Sequence, residues 1–120
     1  MNNDFSFEKL EVYKRSLKFS IELCKLAAKF PYAYSRIRDQ LIGAAISIPL
    51  NIAEGSGRFG KKEKANFYKY SRASVFECVP ILTICYELGL ISDEELLHYK
   101  DEASELSKML NGLIKSTNIL

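Results

Sequence analysis

Apolar residues recur three or four positions apart along almost the whole chain, and no run of four or more residues alternates as a half-buried strand does. The spacing predicts four helices. The first spans residues 7–30, with Ser6 as N-cap and Pro31 as stop; its stripe is Leu10, Tyr13, Leu17, Ile21, Cys24 and Ala28. The second spans 35–54 and ends where Gly55 and Gly57 supply left-handed conformations. It carries an apolar stripe (Ile37, Leu41, Ile48, Ile52) and another of small or polar residues (Gln40, Ala44, Ser47, Asn51, Glu54). The third spans 61–88, with Gly89 just past its end and the stripe Phe67, Ser71, Ser74, Cys78, Ile81, Cys85, Leu88. The fourth, 93–115, opens on a capping box of Ser92 and Glu95, with Ile91 stapled onto Leu96. Leu96, Tyr99, Ala103, Leu106, Leu110 and Leu113 then repeat regularly, and the tail from Ser116 to Leu120 is expected to fray. Short connections favour an all-α fold, an antiparallel up-down-up-down four-helix bundle forming a single domain over residues 1–120.

One helix does not fit a lone bundle. Between Val75 and Leu90 the only charged residues are Glu77 and Glu87, so the third helix is apolar nearly all round. A bundle buries one face of each helix, and the remainder needs another cover. The chain is therefore expected to be oligomeric, with Val79, Ile84 and Tyr86 as contact residues.

Composition narrows the class without naming a function. A 120-residue chain with 48% hydrophobic residues can build a core without staples, and a net charge of +2 does not by itself imply nucleic-acid binding. No basic segment followed by an apolar one opens the chain, and the longest uncharged apolar run, Leu41 to Ala53, is too short to span a membrane. Cys78 and Cys85 are seven apart on one helix, about 10 Å of rise and beyond disulfide reach. Together with Cys24 they read as reduced, buried thiols of a cytoplasmic protein.

Candidate chemistry is sparse. Glu95 and His98 form a Glu-x-x-His pair of the kind that ligates metal in di-iron bundles, but such a site needs two pairs and two further glutamates. The chain has one histidine, and Glu95 is accounted for by the capping box, so no metal or other cofactor is expected. No serine or cysteine has a histidine–carboxylate relay, so no catalytic residue is assigned and the chain reads as a non-enzyme.

More demanding is the block Ser47 to Arg58, which sets Pro49, Asn51 and Glu54 inside an apolar run. A proline within a helix costs about 3 kcal/mol, and a buried carboxylate needs a partner. Asn51, Glu54 and Glu77 are read as a structural polar motif that packs helices, with Arg15, Arg38, Arg58 and Arg72 as possible partners. A polar side chain from a neighbouring helix is expected to satisfy the carbonyl that Pro49 leaves unbonded.

Local charge says more than net charge. Arg58, Lys61, Lys62, Lys64, Lys69 and Arg72 stand against Glu63 alone, a local excess of five positive charges interleaved with Phe59, Phe67, Tyr68 and Tyr70. Cations among aromatic rings suit single-stranded nucleic acid, neutralising phosphates and stacking bases. Lysines at a helix N-terminus oppose the helix dipole, so helix stability does not explain them. The acidic excess from Asp93 to Glu105 begins at a helix N-terminus, where the dipole favours it.

These residues resemble the bacterial proteins encoded in intervening sequences of 23S rRNA genes, relatives of the accessory variability determinant of diversity-generating retroelements. Phe7 to Tyr13 is similar to that family's opening, Phe30-Pro31 to the close of its first helix, and Gln40-Leu41 with Ser47 to Gly55 to its most diagnostic block. Ser74 to Glu77 resembles its third-helix signature, with Ala73 where glycine is usual. The resemblance implies an antiparallel four-helix bundle, a ring-like homopentamer, a basic surface for RNA or DNA, and no established catalysis. The function expected is a nucleic-acid-binding accessory protein. The alternative is a protein-interaction scaffold that recruits a partner enzyme, such as a reverse transcriptase, without touching nucleic acid.

Overall fold

The computed structural model describes residues 3–117. Its helices are α1 (Glu11–Ala27), α2 (Ser35–Ser56), α3 (Lys61–Glu87) and α4 (Asp93–Lys115), and no strand occurs among the described residues. Of the tail expected to fray, Thr117 is buried and its Oγ1 donates to the Ile114 carbonyl at 2.7 Å; residues 118–120 lie outside the described residues.

Cross-helix bonds fix the topology. Ser56 meets Tyr68 at 3.3 Å, and Ser71 Oγ donates to the Ile48 carbonyl at 2.9 Å, so α2 and α3 run antiparallel. Arg15 pairs with Glu102 at 3.0 Å and Glu22 with His98 at 3.3 Å, so α1 and α4 do likewise. The N-terminal residues Phe5 and Phe7 share a cleft with Leu50 and Ala53, which sets the start of α1 beside the end of α2. The result is an up-down-up-down four-helix bundle in which α2 and α3 pack most closely and α1 and α4 least.

The core is filled by Phe19 and Leu23 of α1, Leu41, Ile48 and Ile52 of α2, Cys78 and Leu82 of α3, and Leu106 and Leu110 of α4, all at most 1% exposed. On α1 the buried face differs from the expected stripe. Val12, Ser16, Phe19, Ser20, Leu23, Leu26 and Ala27 are buried, whereas Leu17 and Ile21 are 39% and 47% exposed. The helix has two apolar faces, and the buried one contains serines that read as polar; Ser16 satisfies its hydroxyl on the Tyr13 carbonyl at 2.8 Å. The start of α1 also moves. The Phe5 amide donates to the Glu8 carboxylate at 3.0 Å, a 3₁₀ turn covers Ser6–Lys9, and the α-helix begins only at Glu11.

The ends of the helices separate two uses of glycine. Gly89 has φ 76°; its amide bonds the Tyr86 carbonyl and the Leu90 amide the Cys85 carbonyl, both at 2.9 Å, the paired bonds that close a helix with a left-handed residue. Gly55 and Gly57 do not behave this way. Gly55 is helical and buried, Gly57 has φ −83°, and α2 runs on to Ser56. Gly55 is needed for space, since a Cβ there would lie 2.7 Å from Cε1 of the buried Tyr68 ring. The capping box of α4 forms as expected: Glu95 N–H donates to Ser92 Oγ at 3.1 Å, and Ser92 N–H to Glu95 Oε1 at 2.9 Å.

Both helix-interior prolines, Pro49 and Pro80, sit in uninterrupted helices. The hydroxyl that α3 supplies near Pro49, from Ser71, goes to the carbonyl of Ile48, not to that of Ala45, which the proline cannot reach. Of the residues expected to meet another subunit, Val79 and Tyr86 pack partly buried against the core, while Ile84 is 50% exposed.

Gly55→Ala should destabilise the fold by about 1–3 kcal/mol, because the ring it strikes is buried and its hydroxyl is tied to Ser56. Gly43 is also in α2, but a Cβ added there would meet nothing within 4 Å. Its substitution by alanine should act oppositely, gaining about 0.5–1 kcal/mol. Urea unfolding of the two variants, read by circular dichroism, checks both signs.

Candidate nucleic-acid interface

Contact between Gly55 and Tyr68 brings the C-terminus of α2 against the N-terminus of α3, joined by the turn at residues 57–60. Two opposed helix ends therefore lie together. Carbonyls at the end of α2 need donors, and the start of α3 presents amides and a positive dipole end.

Against that background the six cations of the cluster divide. Lys64 Nζ donates to the Ser56 carbonyl at 2.9 Å and lies 3.4 Å from the Gly55 carbonyl, so it caps α2. A lysine that opposes the dipole of its own helix is thus repaid by the helix beside it, a structural reason that sequence spacing alone did not reveal. Arg58 is braced by Glu54 at 3.1 Å and Glu63 at 3.8 Å, with its guanidinium 4.7 Å from the centre of the Phe67 ring. Arg72 lies 4.4 Å over Phe76, and its Nε is buried with no hydrogen-bond partner. Lys61, Lys62 and Lys69 are exposed and belong to no ion pair among the described residues.

The aromatic rings divide in the same way. Tyr68 is buried and Phe67 is half-buried, edge-on to Tyr70 at 5.7 Å. Phe59 is fully exposed at the tip of the turn, and Tyr70 is 56% exposed. Lys61, Lys62, Lys69, Phe59 and Tyr70 are the members of the cluster whose side chains are open to solvent, and Tyr68 is not among them.

The polar motif is not the buried network expected. Asn51 is half-buried and turns its Nδ2 back onto the Ser47 carbonyl at 2.8 Å. Glu54 is exposed, bonded only to Arg58 among the expected arginines, and Glu77 is exposed with no ion pair among the described residues. The other arginines are engaged elsewhere: Arg15 with Glu102 and Glu105, Arg38 with Asp39. The reason is angular. The buried line of α2 runs through Ala44, Ile48, Ile52 and Gly55, and the Ser47–Asn51–Glu54 line lies beside it, at the rim facing α3. There Ser47 hydrogen-bonds Ser74 across the two helices. Buried hydroxyls, at Ser16, Ser20 and Ser71, take the place of the buried carboxylate.

Remaining groups offer little chemistry. Among the described residues no cluster of three His, Cys, Asp or Glu is placed to hold a metal; Glu95 serves the capping box and His98 Nε2 faces Glu22 on the surface. Burial, reinforced by the charge of Glu77, pushes the Cys78 thiol up to about 12, and burial also raises Cys85, so neither forms a thiolate near neutral pH. No helix among the described residues is long and apolar enough to cross a membrane.

Comparison with known proteins agrees with the fold. The family of the 23S rRNA-intervening sequence protein matches residues 8–112. The crystal structure of a protein of unknown function from the S23 ribosomal protein family of Bacteroides thetaiotaomicron superposes with a TM-score of 0.77 at 20% identity, covering 87% of this chain and 98% of that one. At that identity the likeness concerns the fold alone. No curated protein matches the chain.

The division of the lysines is testable by stability. Lys64→Ala should cost about 1 kcal/mol through the lost cap, whereas Lys61→Ala and Lys62→Ala should stay within about 0.5 kcal/mol of the parent. Equal losses in all three, measured by chemical denaturation, would contradict the capping role.

Proposed function

This chain belongs to the 23S rRNA-intervening sequence protein family, and on that footing we propose that it is a non-catalytic, nucleic-acid-binding accessory protein that works as a homo-oligomer. The observation carrying the proposal is the unpaired lysine set, Lys61, Lys62 and Lys69. These side chains stand exposed at and after the start of α3, outside the ion pairs that engage Arg58. Lys61 and Lys62 also oppose the dipole of the helix they begin, and no side-chain hydrogen bond or ion pair among the described residues offsets that cost. Exposed, unpaired lysines are what neutralisation of phosphates requires. Arg58, Lys64 and Arg72 add to the local potential while serving structural contacts.

Support for assembly comes from the apolar residues left outside. Leu17 and Ile21 on α1, Ile46 and Leu50 on α2, Phe76 and Ile84 on α3, and Leu88 just past its end are 39–60% exposed. Leu17 with Ile21, and Ile46 with Leu50, are four apart and so share a helix face instead of lying as scattered single residues. A homopentamer is the arrangement that the family resemblance implies. A protein-interaction scaffold is the second reading. It draws on a groove of about 450 Å³ between α3 and α4, lined by Phe76, Val79, Pro80 and Ala103 with Lys100 and Ser104, which a partner enzyme could occupy.

Two measurements decide between them. Light scattering should return a multiple of the 13.7 kDa chain mass; a monomer at micromolar concentration would refute assembly. Wild-type protein should bind RNA or DNA in a salt-dependent way. Reversing Lys61, Lys62 and Lys69 to glutamate should flatten the slope of log affinity against log salt by about 2–3 if each lysine meets one phosphate, with the oligomer intact. Absence of binding at about 50 mM salt, where phosphate contacts are strong, or an unchanged slope in the reversed variant, would favour the scaffold.

A further inference from the structure

Phe59 is an unusual residue for a solvated turn. It is fully exposed, more so than any other large apolar residue described, with Tyr32 and Phe5 next. The backbone beneath it is nonetheless well anchored. The Gly57 amide bonds the Ala53 and Glu54 carbonyls at 3.2 and 3.1 Å, and the Arg58 amide bonds the Gly55 carbonyl at 3.2 Å. On the far side the Lys64 amide bonds the Gly60 carbonyl at 3.0 Å, and the Arg58 side chain bridges Glu54 and Glu63 across the turn. A flat ring is thus presented to solvent on a fixed base, between a paired arginine and two unpaired lysines.

Beside this turn lies a cleft of about 610 Å³, lined by Phe5, Phe7, Leu50, Glu54 and Arg58. Its size falls within the range of about 300–1,000 Å³ typical of small-molecule sites; its walls combine apolar rings with a carboxylate and a guanidinium, and Phe59 stands outside it. Phosphates of either a duplex or a single strand can meet lysines, but only an unpaired base has a free face to offer an aromatic ring.

Resting on the nucleic-acid reading above, we infer that this end of the bundle selects single strands, with Phe59 stacking on an unpaired base while Lys61 and Lys62 meet the flanking phosphates. The ring supplies preference for strandedness, and the lysines supply salt-dependent affinity. The two contributions are separable because they reside in different residues.

The test uses the full chain and fluorescein-labelled oligonucleotides of about 12 nucleotides, a length within the range such surfaces cover, as single-stranded DNA, single-stranded RNA and duplex DNA. Wild-type protein should bind the single strands more tightly than the duplex. Phe59→Ala should weaken single-strand binding by about 5- to 150-fold, the range for loss of one stacked base, while leaving duplex binding and the salt slope unchanged. Phe59→Trp should restore affinity. Because the chain contains no tryptophan, the new indole reports directly, and its fluorescence should be quenched by single strands and not by duplex. Single-strand binding that is indifferent to Phe59→Ala, or indole emission that is unchanged on binding, overturns the stacking role and leaves the lysine surface standing. Failure of every oligonucleotide to bind overturns both this inference and the function on which it rests.

Discussion

Much of this molecule depends on one close approach, that of the Tyr68 ring to the backbone of Gly55. With no side chain at position 55, the end of α2 comes close enough to α3 for Ser71 to reach the Ile48 carbonyl and Ser47 to reach Ser74. It is also close enough for Lys64 to reach the carbonyls of Gly55 and Ser56. Small residues along the seam let the helices approach, and hydroxyls satisfy one another or the backbone, so the seam carries polar groups without burying a charge. The turn at 57–60, with everything it displays, takes its position from that seam.

Electrostatics at this end follow from the same approach. Two helix termini of opposite dipole sign lie together, and the chain answers each with a nearby side chain: Lys64 for the carbonyls of α2, Glu63 in the first turn of α3. Once those requirements are met, Lys61 and Lys62 remain as surplus cations. Charge alone does not distinguish them from Lys64; the distinction lies in what each ammonium touches.

The sequence makes the helices legible and the faces less so. α4 is read well because its capping box and regular leucines leave one solution, and Gly89 because a left-handed helix stop has a recognisable composition. α1 is misread because it carries two apolar stripes, and hydropathy ranks Leu17 and Ile21 above Ser16 and Ser20, which are the buried residues. Gly55 is misread as a stop because a glycine that ends a helix and one that makes room for a ring look identical in sequence. Asn51 and Glu54 lie on the expected helix but at its rim; an error of about one residue's rotation in the buried line moves them from core to surface. In the basic cluster, all six positions are visible in the sequence. The roles of Lys64 and Arg58 appear only when the neighbouring helix is in place.

The cross-helix bonds also differ in the length of chain they span. Between α2 and α3 they join residues 8 to 27 apart, whereas those between α1 and α4 join residues 76 to 94 apart. Closing the longer loops costs roughly 1–2 kcal/mol more in chain entropy, and what they gain is a partly exposed arginine–carboxylate pair and an edge-on contact of Phe19 with Tyr99. The shorter loops therefore make the seam between α2 and α3 the less costly of the two to close. The hairpin of α2 and α3 is the easier to form from a nascent chain, and the seam between α1 and α4 has to wait for the last helix to be made.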